Sequence, residues 1–167
     1  MLMKIKDSHI LYINLKEDTE KRKRIEHQLD SLKLSYTRVD AVRGSKLRNL
    51  AYRKKISKLL SIPMSKLNVK YWTDRKNFKT MCKYPDAIMK KVGAYLSHML
   101  AIKIALDNDL RNAVILEDDA DFLNNINNNI RVPKDADIVY LGGSFYNDVK
   151  KTVKLSKKLI AVDNDII

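Results

Sequence analysis

HILYINLKEDTEKRKRIEHQLDSLKLSYTRV, residues 9–39, is the stretch that decides the fold. Its first seven residues, HILYINL, are β-branched, aromatic and aliphatic without strict alternation, which suits a strand covered on both faces. Asp18 and Thr19 then offer N-cap oxygens, and Ile25, Leu29 and Leu32 recur at helical spacing on an otherwise charged surface. This predicts an amphipathic helix over residues 19–33. SYTRV, residues 35–39, reads as a second strand, and VDAVRGS supplies the glycine and small polar residues of a loop. Strand, helix and strand in this order imply a right-handed parallel crossover.

The alternation continues outward. In VGAYLSHMLAIKIALDN, residues Val92, Leu96, Met99, Ile102, Ala105 and Leu106 stand at spacings of three and four, a helical pattern. AVILE, residues 113–117, reads as a third strand, DIVYLGG, residues 137–143, as a fourth, and KLIAVD, residues 158–163, as a fifth. The polar run NNINNN, residues 124–129, is turn by composition, and Pro133 punctuates it. Between the crossover and the long helix lies an excursion with two weak helical patterns, residues 50–60 and 65–69, separated by Pro63. The expected architecture is α/β: a Rossmann-like, open, mostly parallel sheet flanked by helices, in a single domain of residues 1–167 with a basic insertion at residues 45–91. Such sheets bind ligands in the crevice beyond the carboxyl ends of their strands.

Composition agrees with a soluble globular chain: 167 residues, 45% apolar and 32% charged, with four Gly and three Pro. Lys and Asp break every apolar run of the opening MLMKIKDSHI, so no secretory h-region is read there, and no later segment reaches the length of a membrane span. The lone Cys82 has no partner for a disulfide or a zinc site and is given no role. A reducing, cytoplasmic setting is expected, with peripheral membrane association as the alternative. The formal charge of +13 is unevenly placed. Residues 1–42 carry nine basic and seven acidic side chains, residues 43–91 fifteen and two, and residues 92–167 nine and eleven. With Trp72 and three tyrosines, the middle segment is a candidate polyanion surface for nucleic acid, a phosphorylated glycan or an anionic membrane. The plainer alternative is a solvated, Lys-rich insertion.

The acids concentrate elsewhere. In AVILEDDADF, residues 113–122, a short apolar strand runs into Glu117, Asp118, Asp119 and Asp121. A solvated turn would account for them, but like charges packed this closely repel unless a counter-charge is present. A divalent cation carrying a diphosphate is one economical counter-charge, since Mg²⁺ and Mn²⁺ use one or two carboxylates and leave other positions to phosphate oxygens. An EF-hand is excluded because its third ligand position would be Leu123, and neither a P-loop string nor GxGxxG occurs.

Taken in order, INLKEDTEKRKRIEHQL, YTRVDAVRG, GAYLSHMLAIKIAL, VILEDDADF and DIVYLGG resemble glycosyltransferase family 25, the family of bacterial lipooligosaccharide glycosyltransferases and procollagen galactosyltransferases. The resemblance covers most of the chain except residues 47–91. It implies a GT-A-type nucleotide-sugar domain that takes a UDP-hexose, galactose or glucose, uses Mn²⁺ or Mg²⁺ at a DXD-like motif, and inverts the anomeric carbon. The acceptor it implies is a glycan or a glycoprotein. Position by position, Asn14, Leu15, Arg22 and Arg24 match the opening strand and arginine-bearing helix expected near the nucleotide. Asp40, Ala41 and Gly44 match the DAVxG loop around base and ribose, and Gly93, Ser97 and His98 match GxxxSH beside the donor. Within EDD, Asp119 is the implied metal ligand, Asp118 lies next to ribose or metal, and Glu117 stabilises the loop. Family members continue past YLGG with a further strand and helix, so the resemblance implies a donor-binding part without that half, and no residue is assigned as the base. Two other functions stand beside the enzyme: a catalytically incomplete UDP-sugar-binding module, and a polyanion binder using the basic insertion.

Overall fold

The computed structural model describes residues 2–73, 85–122, 129–131, 139, 152–154 and 160–162. The chain forms two compact units, Met1–Arg131 and Val132–Ile167. In the second unit, β6 (Thr152–Lys154) pairs antiparallel with β7 (Ile160–Val162). KLIAVD is thus a strand as expected, but its described pairing is a hairpin, not a place in a parallel sheet. The expected fourth strand, residues 137–143, lies outside the described residues apart from Val139, as does Cys82.

The first unit is built on three parallel strands in the order β3-β2-β4, with β2 (His9–Asn14) between β3 (Tyr36–Asp40) and β4 (Ala113–Glu117). Side chains of a strand alternate between faces, and here both faces are covered, which is why HILYINL shows no polar alternation. Ile10 and Tyr12 join Val114 in a core with Ile25 and Leu29 of α1 (Thr19–Ser31). Leu11 and Ile13 face a second core shared with α4 (Pro85–Asp107) and α2 (Leu50–Leu60). The result is an α/β sandwich of helix, open parallel sheet and helix.

Local chemistry sets the ends of these elements. α1 stops at Ser31, two residues early, because Lys33 adopts a left-handed φ of 53° and the amides of Lys33 and Leu34 turn back onto the carbonyls of Asp30 and Leu29. Leu34 takes the buried position, and Leu32, expected in the core, is exposed. At the other end Asp18 occupies the N-cap but makes no side-chain capping bond. α4 begins seven residues before the expected start, opening on Pro85, the residue suited to a first helical turn. Its buried line is also rotated from the one expected. Met89, Gly93, Leu96, Ser97, Leu100 and Ala101 are buried, whereas Ile102 and Leu106 are exposed.

The excursion contains α2, a 3-10 turn at Met64–Lys66 and the short α3 (Val69–Thr73). Asn49 caps α2 by accepting the Tyr52 amide at 2.9 Å, and Ile56, Leu60 and Leu67 enter the second core, with Trp72 packed against it. The opening β1 (Leu2–Lys4) pairs antiparallel with β5 (Asn129–Arg131), so Asn129, expected in a turn, is strand. No helix among the described residues is long and apolar enough to cross a membrane.

Candidate functional site at the carboxyl edge of the sheet

The chain leaves β2 through α1 on one face to reach β3, and returns through α4 on the other face to β4, on the far side of β2. The strand order therefore reverses at β2, and the loops beyond β2 and β3 diverge to opposite faces. Open α/β sheets place their ligand crevice at this point. β2 ends there in Asn14 and β4 in Glu117, with Asp40 at the end of neighbouring β3.

Asn14 is buried and ties the three strand ends together. Its Nδ2 donates to Asp118 Oδ2 at 2.8 Å and to the Asp18 carbonyl at 3.1 Å, while its Oδ1 faces Arg38 at 3.5 Å. Its backbone carbonyl accepts the Ala41 amide at 3.0 Å. Arg38 in turn pairs with the exposed Asp40. Asn14, Ala41, Asp40 and Asp118 thus belong to one connected group, and Leu15 continues from it half-buried.

The acids after β4 do not simply crowd one another. Lys21 donates to Asp118 at 3.3 Å, and this bond raises the lysine above its usual pKa. Arg24 pairs with Asp121, and Nε2 of His98 lies 3.1 Å from Glu117. Gln28 steadies the turn from both sides, donating to the Ala120 carbonyl at 3.3 Å and accepting the Phe122 amide at 3.0 Å. The crowding that suggested an ion is therefore relieved by the chain's own cations at Asp118 and Asp121. Asp119 is exposed and makes no hydrogen bond or ion pair among the described residues. No group of three or more His, Cys, Asp and Glu converges among them. To a hard divalent ion that keeps one or two carboxylates, the described residues offer Asp119 open, with Asp118 adjacent but already bonded to Asn14 and Lys21.

Arg22 points elsewhere, onto Glu26 at 3.0 Å, where Glu26 also accepts the hydroxyl of buried Tyr12. Burial, and then the Glu26 bond, push the Tyr12 phenol above its ordinary range. Burial alone would raise Glu26, but the bonds from Tyr12 and Arg22 outweigh it and hold the carboxylate low.

The glycine and serine positions of the two motifs form one backbone contact. Ser97 Oγ accepts the Val42 amide at 2.8 Å and donates to the Gly93 carbonyl at 2.7 Å. A Cβ on Gly93 would lie 2.5 Å from the Val42 carbonyl oxygen, and one on Gly44 only 1.7 Å from that of Met89. Gly44, Gly93 and Ser97 thus press the loop after β3 onto α4, which fixes where Asp40, Ala41 and His98 stand. Sequence reasoning missed Lys21, Gln28 and Arg38, and also the ion pair of Glu17 with Arg43 that spans the loops after β2 and β3. Only their adjacency to the motif residues could have signalled them.

The model of the family described as Glycosyltransferase family 25 (LPS biosynthesis protein) matches residues 7–165. No curated protein and no solved structure matches the chain. The family match runs through every strand and loop that carries the acid edge, and the chain belongs to glycosyltransferase family 25.

Proposed function

We propose that this family 25 glycosyltransferase takes a hexose, galactose or glucose, from a UDP-sugar at the carboxyl edge of the β3-β2-β4 sheet, in a GT-A-type arrangement. The observation that carries the proposal is the Asn14–Asp118 bond across the strand-order reversal, with Asp119 open beside it. The acceptor is a saccharide or a hydroxylysine-type glycoprotein side chain, and the anomeric carbon is inverted. Asp119, with Asp118 beside it, would hold Mn²⁺ or Mg²⁺, which when bound supplies positive charge against a diphosphate. Asn14 keeps the Asp118 carboxylate in one orientation, while Lys21 and Arg24 add cationic charge where a leaving nucleotide becomes more negative. Asp40, braced by Arg38, offers carboxylate oxygens to ribose hydroxyls, and the Ala41 and Gly44 loop shapes the wall behind it. His98 fixes Glu117 at the entrance of the acidic turn.

Calorimetry with UDP, with and without Mn²⁺, tests the site, and release of labelled hexose from UDP-galactose or UDP-glucose into water tests turnover. Metal-enhanced UDP binding that is weakened about tenfold in Asp119→Asn is the expected result. Absence of UDP binding under both conditions overturns the proposal. A second reading, a donor-binding module without turnover, is favoured by one observation: Asp118 and Asp121 are already neutralised by Lys21 and Arg24. Metal-independent UDP binding with no hexose release would select it.

A further inference from the structure

The outer face of α2 is built differently from the rest of the first unit. Residues 43–73 contain nine basic side chains and no acidic one. Two of the nine find carboxylates, Arg43 on Glu17 and Arg48 on Asp86. Among the described residues the other seven have no ion-pair partner, and four of them lie on α2, where Arg53 is half-buried and three lysines sit together exposed.

Helical geometry determines how those three are arranged. Ile56 and Leu60 are buried, so the opposite side of α2 faces solvent. That side carries two adjacent ridges of residues four apart, Leu50–Lys54–Lys58 and Ala51–Lys55–Leu59, all exposed. Leu50 and Leu59, 53% and 42% exposed, flank the lysines at opposite ends. A convex strip of ammonium groups on long apolar stems, bracketed by large aliphatic side chains, has two attractions for an anionic bilayer. The charges meet phosphate headgroups, while the leucines and lysine stems enter the interfacial layer.

We propose that the outer face of α2 docks the enzyme onto an anionic lipid surface. Nucleic acid fits the same charge less well. Its stacking partners would be the aromatics of this segment, yet Trp72 packs against the core, the Tyr52 hydroxyl is engaged by the Arg43 amide at 3.0 Å, and the exposed Tyr71 stands on α3 and not among the α2 lysines. The lysines also outnumber arginines on this face, which removes the planar forks that read bases. The face lies outside the donor site, so docking and donor binding can fail separately.

Flotation of the full chain with vesicles tests the proposal, comparing 30% phosphatidylglycerol in phosphatidylcholine with pure phosphatidylcholine. Binding is expected only to the anionic vesicles. Each lysine near such a surface contributes about a five-fold factor, so Lys54→Gln, Lys55→Gln and Lys58→Gln together lower partitioning by about a hundredfold. Leu50→Ser with Leu59→Ser is expected to lower it by about tenfold or more, even at a salt concentration that screens the lysines. Circular dichroism of both variants reports that the fold is retained, as exposed positions allow. Equal partitioning of wild type and triple variant overturns the proposal. So does a single-stranded oligonucleotide that displaces the protein from vesicles at equal phosphate concentration.

Discussion

The carboxyl edge of the sheet and the outer face of α2 are both crowded with like charge, yet only the first neutralises it. Around the acid edge, Lys21, Arg24, Arg38 and Arg43 each meet a carboxylate of Asp118, Asp121, Asp40 or Glu17, and the His98 ring lies in hydrogen-bond reach of Glu117, leaving Asp119 open among the described residues. On α2, Lys54, Lys55 and Lys58 meet none. Paired charges are fixed in place and suit the positioning of a small ligand, whose binding depends on ångström-scale geometry. Unpaired charges on flexible stems attract at long range and suit an extended surface. The two regions should therefore respond to mutation in opposite ways: the edge through stability and geometry, the α2 face through binding alone.

The largest expected effect comes from the contact that supports the edge. In Gly44→Ala the new Cβ meets the Met89 carbonyl oxygen at 1.7 Å, and both sides of that contact are backbone. The loop after β3 must then lift off α4, at a cost of about 3 kcal/mol or more, measured by urea denaturation. An unchanged midpoint would mean that the edge is not anchored through this contact and that the contrast with α2 is overstated. Asn14→Ala comes next. It removes the donor that holds Asp118 and leaves a buried gap where Nδ2 met the Asp18 carbonyl, so a loss of about 2 kcal/mol is expected together with weaker UDP binding. A change under about 0.5 kcal/mol would show that Asp118 is held by Lys21 alone.

These two effects also show what was readable in the sequence. The three parallel strands were legible because HILYINL, SYTRV and AVILE carry the apolar runs of a sheet covered on both sides, and the acids could be placed at a strand end by counting. What could not be counted was rotation and partnership. The apolar repeat of the long helix selected Ile102 and Leu106, yet the buried line follows Gly93, Ser97 and Ala101, because close approach to the β3 loop rewards small residues over large ones. Likewise the acidic turn could not reveal Lys21 and Arg24, which lie far from it in sequence and reach it only once α1 packs on β2. The paired Asp–Arg and Asp–Lys contacts are properties of the fold, and a local charge count sees half of each.

A pH titration sharpens the comparison from within the edge's supporting core. Tyr12 is buried and donates to Glu26, so its phenol ionises well above the unfolded-state value of 10.0, from burial first and the carboxylate second. The native state therefore binds a proton that the unfolded chain releases. That contribution is complete below about pH 10 and is lost as the pH rises past it. Tyr12→Phe should lower stability modestly at pH 7, by about 1 kcal/mol for the lost hydrogen bond, and should flatten the alkaline decline seen in denaturation at pH 9 to 11. A variant that declines as steeply as the parent would assign that alkaline loss to other groups.

The smallest effect lies on α2, and its sign is the informative part. Lys54 and Lys58 stand four residues apart on one exposed ridge, where like charges destabilise a helix by about 0.2–0.5 kcal/mol. Gln has nearly the helix propensity of Lys, so Lys54→Gln changes little besides the charge. The variant should be more stable than wild type by a few tenths of a kcal/mol at low salt, and the gain should vanish near 0.5 M salt as screening removes the repulsion. Stabilisation would show that the lysines of α2 are kept apart from any internal partner and work against the folded state, unlike the cations of the acid edge. Destabilisation would reveal an intramolecular partner for Lys54 and make the two regions alike.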